Sequence, residues 1–234
     1  MLSQTDIVIA GVKDMLTSGR LSAGARLPVE KDLAAELGVS RGSLREGVRA
    51  LAKMGVLETR QGDGTYVTSL HPELLLAPMG LIVELQAQEA GADLQSVRRV
   101  LEAEAAFRAA TRITDEELAE AEGILAAIDE VIDAGTAEHE SLMEVDIAFH
   151  RVVSRASGNP VLDSLVQALS GRTVRDRLWR AMAEEGAERA THAEHRAVLE
   201  ALRRRDADGA RIRMASHLYA VESFLHQQAG PQQD

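Results

Sequence analysis

Residues 28–67 read PVEKDLAAELGVSRGSLREGVRALAKMGVLETRQGDGTYV, and the punctuation of that run decides the fold of the first third of the chain. Leu33, Ala34 and Leu37 recur at helical spacing after Glu30, and Gly38 follows as the residue that accepts the left-handed conformation closing a short helix. After the tight Gly38-Val39 turn, Ser40 stands at the N-cap of a second helix, Arg41 to Lys53, whose Leu44, Val48 and Leu51 face inward. Two short helices joined by such a turn form a helix-turn-helix. Gly55 to Thr59 and Thr65 to Thr68 then read as two strands around Arg60-Gln61-Gly62-Asp63-Gly64, a hairpin wing whose glycines let the backbone approach a phosphate closely.

On the second helix Arg41, Arg45, Arg49 and Lys53 recur every four residues. Each step drifts by about 40° around a 3.6-residue helix, so the four cannot share one groove floor. Arg41 and Arg45, nearest the helix start, are placed to read bases, and Arg49 and Lys53 to meet phosphates. A solvated cationic face is the alternative reading of the stripe. The helix-turn-helix before it and the wing after it favour double-stranded DNA as the partner.

From Gly19 to Val67 the chain resembles the GntR family of bacterial regulators, through Gly19, Leu21, Gly24, Leu27, Pro28, Glu30, Leu33, Ala34, Val39, Ser40, Arg41, Arg45, Gly62, Gly64 and Thr65. The resemblance implies that Lys31, Ser40, Arg41, Ser43, Arg45 and Gly62 contact operator DNA. Gly42 stands where many members carry threonine, so one hydroxyl is missing there.

The formal charge of -11 is unevenly spread. Residues 1–70 carry nine Lys plus Arg against eight Asp plus Glu, whereas residues 71–234 carry 17 against 29. A reader of residues 1–70 and a second domain of residues 72–229 each have enough chain for a core of their own. With no cysteine, disulfides and thiolate metal sites are excluded. The start, MLSQTDIVIAGVKDML, reads as an amphipathic helix without the basic region of a signal peptide, and no stretch approaches the roughly 18 apolar residues of a membrane span. A cytoplasmic protein is expected.

Beyond His71 strand signals vanish, and breakers fall at helical intervals. Helices are predicted over 72–88, 94–112, 114–134, 139–156, 160–182, 184–204 and 207–228, with a capping box at Thr114 to Glu117. The fold class is therefore mainly α, a winged helix-turn-helix with a small β wing followed by an antiparallel bundle of six or seven helices. Trp179 and Tyr219 are expected to fill the core, and His71, His139 and His226 to lie at the surface.

Asp146 and His150 are four apart and share a helix face, while His195 and His217 fall on two later helices. One carboxylate and three imidazoles suit a divalent cation, zinc first and nickel or manganese next, with one or two positions left for water or a ligand. Ordinary hydrogen-bonded histidines are the alternative. The segments around these residues resemble the ligand segments of the FCD effector domain, which partners this reader in the FadR-type subfamily, and the resemblance spans nearly all of residues 72–228. His192, three before His195, could compete as a ligand; the family pattern favours His195. Arg98, in an R-x-x-L-E segment, is the candidate clamp for an anionic effector, with Arg172 or Arg175 as a second.

The expected molecule is a homodimeric transcription regulator, a repressor by the commoner family logic, that senses a small carboxylate through the metal site. A metal-dependent hydrolase or lyase with a DNA-binding appendage is the rival class, with Glu144 or Glu194 as base. It lacks an H-E-x-x-H or other catalytic motif. A metal-only or ligand-independent repressor is the third reading.

Overall fold

A computed structural model describes residues 3–72, 74, 91–134, 138–170, 180 and 182–228. The chain divides into two compact units, Met1–Pro78 and Met79–Asp234.

The first unit opens with α1, Gln4–Thr17, whose N-terminus is closed by a reciprocal capping box between Ser3 and Asp6. Helices α2, Glu30–Glu36, and α3, Arg41–Lys53, form the helix-turn-helix, and Gly38 between them has φ +65°. Val8, Val12, Leu33, Leu44, Leu51, Leu57 and Val67 fill one core. Helix α1 crosses α3 at Gly47, where a Cβ would lie 2.5 Å from Val8 Cβ. Gly47→Ala is accordingly expected to destabilise this unit by about 1–3 kcal/mol through overpacking, read as a lower midpoint in thermal unfolding.

The wing consists of strands β1, Leu57–Arg60, and β2, Gly64–Val67, antiparallel with Leu57 opposite Val67 and Arg60 opposite Gly64. It therefore starts two residues later than the expected Gly55. With φ +75°, Gly55 belongs to the end of α3, where Val56 N donates to Leu51 O at 3.0 Å and satisfies an orphan helix carbonyl. Residues 24–27 flank the other edge of β2, with Val67 N donating to Ala25 O and Leu27 N to Thr65 O, both at 2.8 Å.

The described part of the second unit is all helical: α4, Gly91–Ala110; α5, Asp115–Ala126; α6, Asp129–Asp133; α7, His139–Ala156; α8, Pro160–Ser170; α9, Ala187–Arg203; and α10, Ala207–Gln228. The expected capping box is present, with Glu117 N donating to Thr114 Oγ1 and Thr114 N to Glu117 Oε2. Buried alanines at 103, 105, 106, 109 and 110 leave α4 a smooth face along which α10 packs. Phe149, Val152, Leu125, Val198, Leu202, Met214 and Leu218 complete the core around it.

Two expectations are corrected. The single helix over 114–134 is interrupted at Ile128, whose φ of -117° turns the chain so that Ile128 and Ile132 pack on Leu142 as a small apolar cluster. Tyr219 is 57% exposed, not core, because α10 directs Met214, Leu218, Val221 and Leu225 inward and leaves position 219 off that stripe. His71, His139 and His226 are exposed. Nearly all of the expected helix 72–88, and the continuation of α8 past Ser170 with Arg172, Arg175 and Trp179, lie outside the described residues.

Candidate metal centre and nucleic-acid interface

At the start of α3, Ser40 Oγ accepts from Ser43 N at 3.0 Å and lies 2.9 Å from Ser43 Oγ, so the two hydroxyls form one cap. Lys31, Arg41, Arg45 and Arg49 are all exposed. Arg45 Nε donates to Glu30 Oε2 at 3.0 Å and Arg49 Nη1 to Glu46 Oε1 at 2.8 Å. Both pairs are more than half exposed on each side, so each holds its arginine only weakly and can be exchanged for a nucleic acid at little cost. Gly62, at the tip of the wing, has φ +74° and open space around it.

Arg26 and Arg60 also shape the wing; the sequence reading passed over Arg26 and placed Arg60 in the turn, whereas it ends β1. An Nη2 of Arg26 donates to Asp63 O, and Arg60 lies over the Tyr66 ring, 4.2 Å from its centroid. Each lies outside the helix-turn-helix grammar. Only the wing's folded register brings Arg26 beside its tip.

In the second unit, α7 presents Asp146 and His150 one turn apart, α9 presents His195 and α10 presents His217. All four are buried, and one ligand atom from each lies within 4.8 Å of all the others. His217 Nε2 is 3.2 Å from His150 Nε2 and 3.1 Å from His195 Nε2, while Asp146 Oδ1 is 3.5 Å from His195 Nε2 and 3.8 Å from His150 Nε2. The opposite ring nitrogens meet carboxylates. His217 Nδ1 is 2.9 Å from Glu194 Oε2, and His150 Nδ1 contacts Glu102 Oε2.

A carboxylate at Nδ1 holds the ring proton there and leaves Nε2 as a bare lone pair. Burial pushes the pKa of His217 down to about 4, so its ring is neutral at pH 7. The Nε2 atoms of His150, His195 and His217 converge beside Asp146 Oδ1, an arrangement that a cation can bridge. Ligand atoms about 2.1 Å from a tetrahedral ion sit roughly 3.4 Å apart; four of the six pairs, at 3.1–3.8 Å, bracket that value, and all lie within 4.8 Å. The donor set therefore fits a divalent metal.

Glu102 is the anchor behind His150. Burial raises the pKa of its carboxyl, but the charges of Arg98 and His150 outweigh that effect and hold it well below the usual carboxylate range. Arg98 Nε donates to Glu102 Oε1 at 2.6 Å with both side chains buried, so Arg98 reaches the cluster through Glu102 and does not line the adjoining cavity. His192 does line that cavity, but its Nε2 pairs with Asp129 Oδ1 at 2.6 Å, and Asp129 is in turn held by Arg196. It is His195 that joins the cluster.

Residues 4–67 match the gntR family of bacterial regulatory proteins, and residues 93–220 match the FCD domain. The chain belongs to the GntR family. As an FCD-type GntR member it is a transcription regulator and not an enzyme. It is 30% identical over 214 residues to the galactonate operon transcriptional repressor of Escherichia coli, covering 89% of this chain and 91% of that protein. It is 29% identical over 216 residues to the HTH-type transcriptional regulator LutR of Bacillus subtilis, covering 90% and 96%. The solved structure of a Streptococcus agalactiae GntR protein superposes with a TM-score of 0.68 at 27% identity, over 94% of this chain and 99% of that one. Among the described residues of this GntR regulator, no helix is long and apolar enough to cross a membrane.

Proposed function

We propose that this GntR regulator is a homodimeric repressor that binds operator DNA through α3 and the wing and releases it in response to a small carboxylate. Its FCD domain would hold a divalent cation, zinc foremost, on Asp146, His150, His195 and His217. Bound there, the metal would supply a Lewis-acidic centre for an anionic ligand. One observation supports this reading above the rest: buried imidazoles from three helices direct Nε2 atoms at one point beside Asp146, with Glu102 and Glu194 fixing two of the rings from behind. The repressor sense rests on the relative named for the galactonate operon.

In the reader, Arg41 and Arg45 would approach base edges, Arg49 and Lys31 the phosphates, and Gly62 the backbone beside the wing, with Ser40 and Ser43 tying the start of α3 together. A two-fold dimer would place two copies of α3 in successive major-groove segments of a palindromic site. Arg45→Ala is expected to weaken binding to the operator, recovered by selection from random DNA, by about 1–3 kcal/mol and to relax preference at one base pair. Fluorescence anisotropy with base-substituted duplexes would measure both. An unchanged affinity and preference would remove Arg45 from the base readers.

A further inference from the structure

The cavity beside the metal cluster has two features that together name its ligand. Asp146, His195 and His217 line one part of it. Ile128, Ile132, Leu142, Val145 and Val221 line another, three of them belonging to the apolar cluster made by the break between α5 and α6. Arg180 also lines it; the residue is 8% exposed, its Nε donates to Glu184 Oε2 at 2.8 Å, and its buried Nη1 has no hydrogen-bond partner. Buried donors on a charged group are rarely left unsatisfied, and a guanidinium so placed is matched by a carboxylate. The cavity measures about 40 Å3, room for roughly three waters, which suits a compact acid and not a long chain.

We propose that Arg180 is the clamp for the effector's carboxylate and that the effector is a short carboxylic acid with an aliphatic remainder, not a polyhydroxylated sugar acid. This inference rests on the reading of the cavity as the effector site. A sugar acid would press hydroxyls against Ile128, Ile132, Leu142, Val145 and Val221, which offer no side-chain partner for them; Glu188, Thr191 and His192 also line the cavity, but Glu188 is engaged by His139 and His192 Nε2 by Asp129, so a hydroxyl stripped of water at the apolar wall weakens binding. An alkyl group loses nothing at that wall and gains from burial.

Two four-carbon acids isolate the point. 2-Hydroxybutyrate and threonate share the carboxylate and the 2-hydroxyl and differ in the hydroxyls at carbons 3 and 4. Titration calorimetry of zinc-loaded full-length protein is expected to show 2-hydroxybutyrate binding about tenfold or more tightly than threonate. Arg180→Met, with its fold checked by circular dichroism, should weaken the binding of 2-hydroxybutyrate by about ten- to a hundredfold. Val145→Thr, nearly equal in volume, should narrow the preference between the acids while leaving the clamp in place. Equal or tighter binding of threonate would overturn the ligand class, and wild-type affinity in Arg180→Met would overturn the clamp. If neither acid binds although equilibrium dialysis shows zinc retained, the effector reading of the cavity fails with the inference. If zinc is not retained either, the metal reading fails as well.

Discussion

Chelation is expected to lower the stability of the FCD domain by about 3–4 kcal/mol, because a free ion at a hundred to a thousand times its Kd contributes about 2.7 to 4.1 kcal/mol to the folded state. The effect should be confined to the domain that carries Asp146, His150, His195 and His217, since the reader contributes no residue to the cluster. Scanning calorimetry resolves the two domains if they unfold separately, and restoring zinc should restore the lost enthalpy and midpoint. Superimposable melts with and without chelator would contradict the prediction.

Phe149→Ala carries the second large effect, about 3–5 kcal/mol lost from the same domain. Phe149 is fully buried, precedes His150 on α7, and its ring centroid lies 4.9 Å from that of His195. Truncation removes apolar burial from the central core and the wall that holds the His195 ring in place, so stability and zinc affinity should fall together. Urea unfolding combined with zinc titration measures both. A loss below about 1 kcal/mol would show that the site collapses around the gap and that Phe149 does not set the ligand geometry.

Local chemistry explains what the sequence made readable. Ser40 caps α3 and Thr114 caps α5 because their hydroxyls satisfy helix donors a few residues away, an interaction that needs no tertiary context. Asp146 and His150 share a face because four residues make one turn of α7. That His195 and His217 meet them rested on family resemblance, since spacing alone cannot register three helices. Non-local features were hidden in the same way. Arg180 sits in no motif and stands out only once the packing leaves its Nη1 buried beside the cluster. Glu194 was considered as the base of a rival enzyme, whereas its contact with His217 Nδ1 makes it a partner of the ring. The turn at Ile128 escaped notice because Ala126-Ala127-Ile128 holds neither glycine nor proline; burial of Ile128 and Ile132 against Leu142 drives it, a tertiary effect overriding local propensity. Tyr219 was misplaced because α10 is apolar on several sides, so periodicity did not single out one inward face.

Metal content of the purified full-length protein after zinc loading and exhaustive dialysis is the decisive quantity, read by plasma mass spectrometry beside the double variant His195→Ala/His217→Ala. The four-ligand cluster predicts about one zinc per chain in the wild type and none above background in the variant, as expected when two of the three imidazole donors are removed. Equal zinc in both, or none in either, would contradict a metal centre on Asp146, His150, His195 and His217.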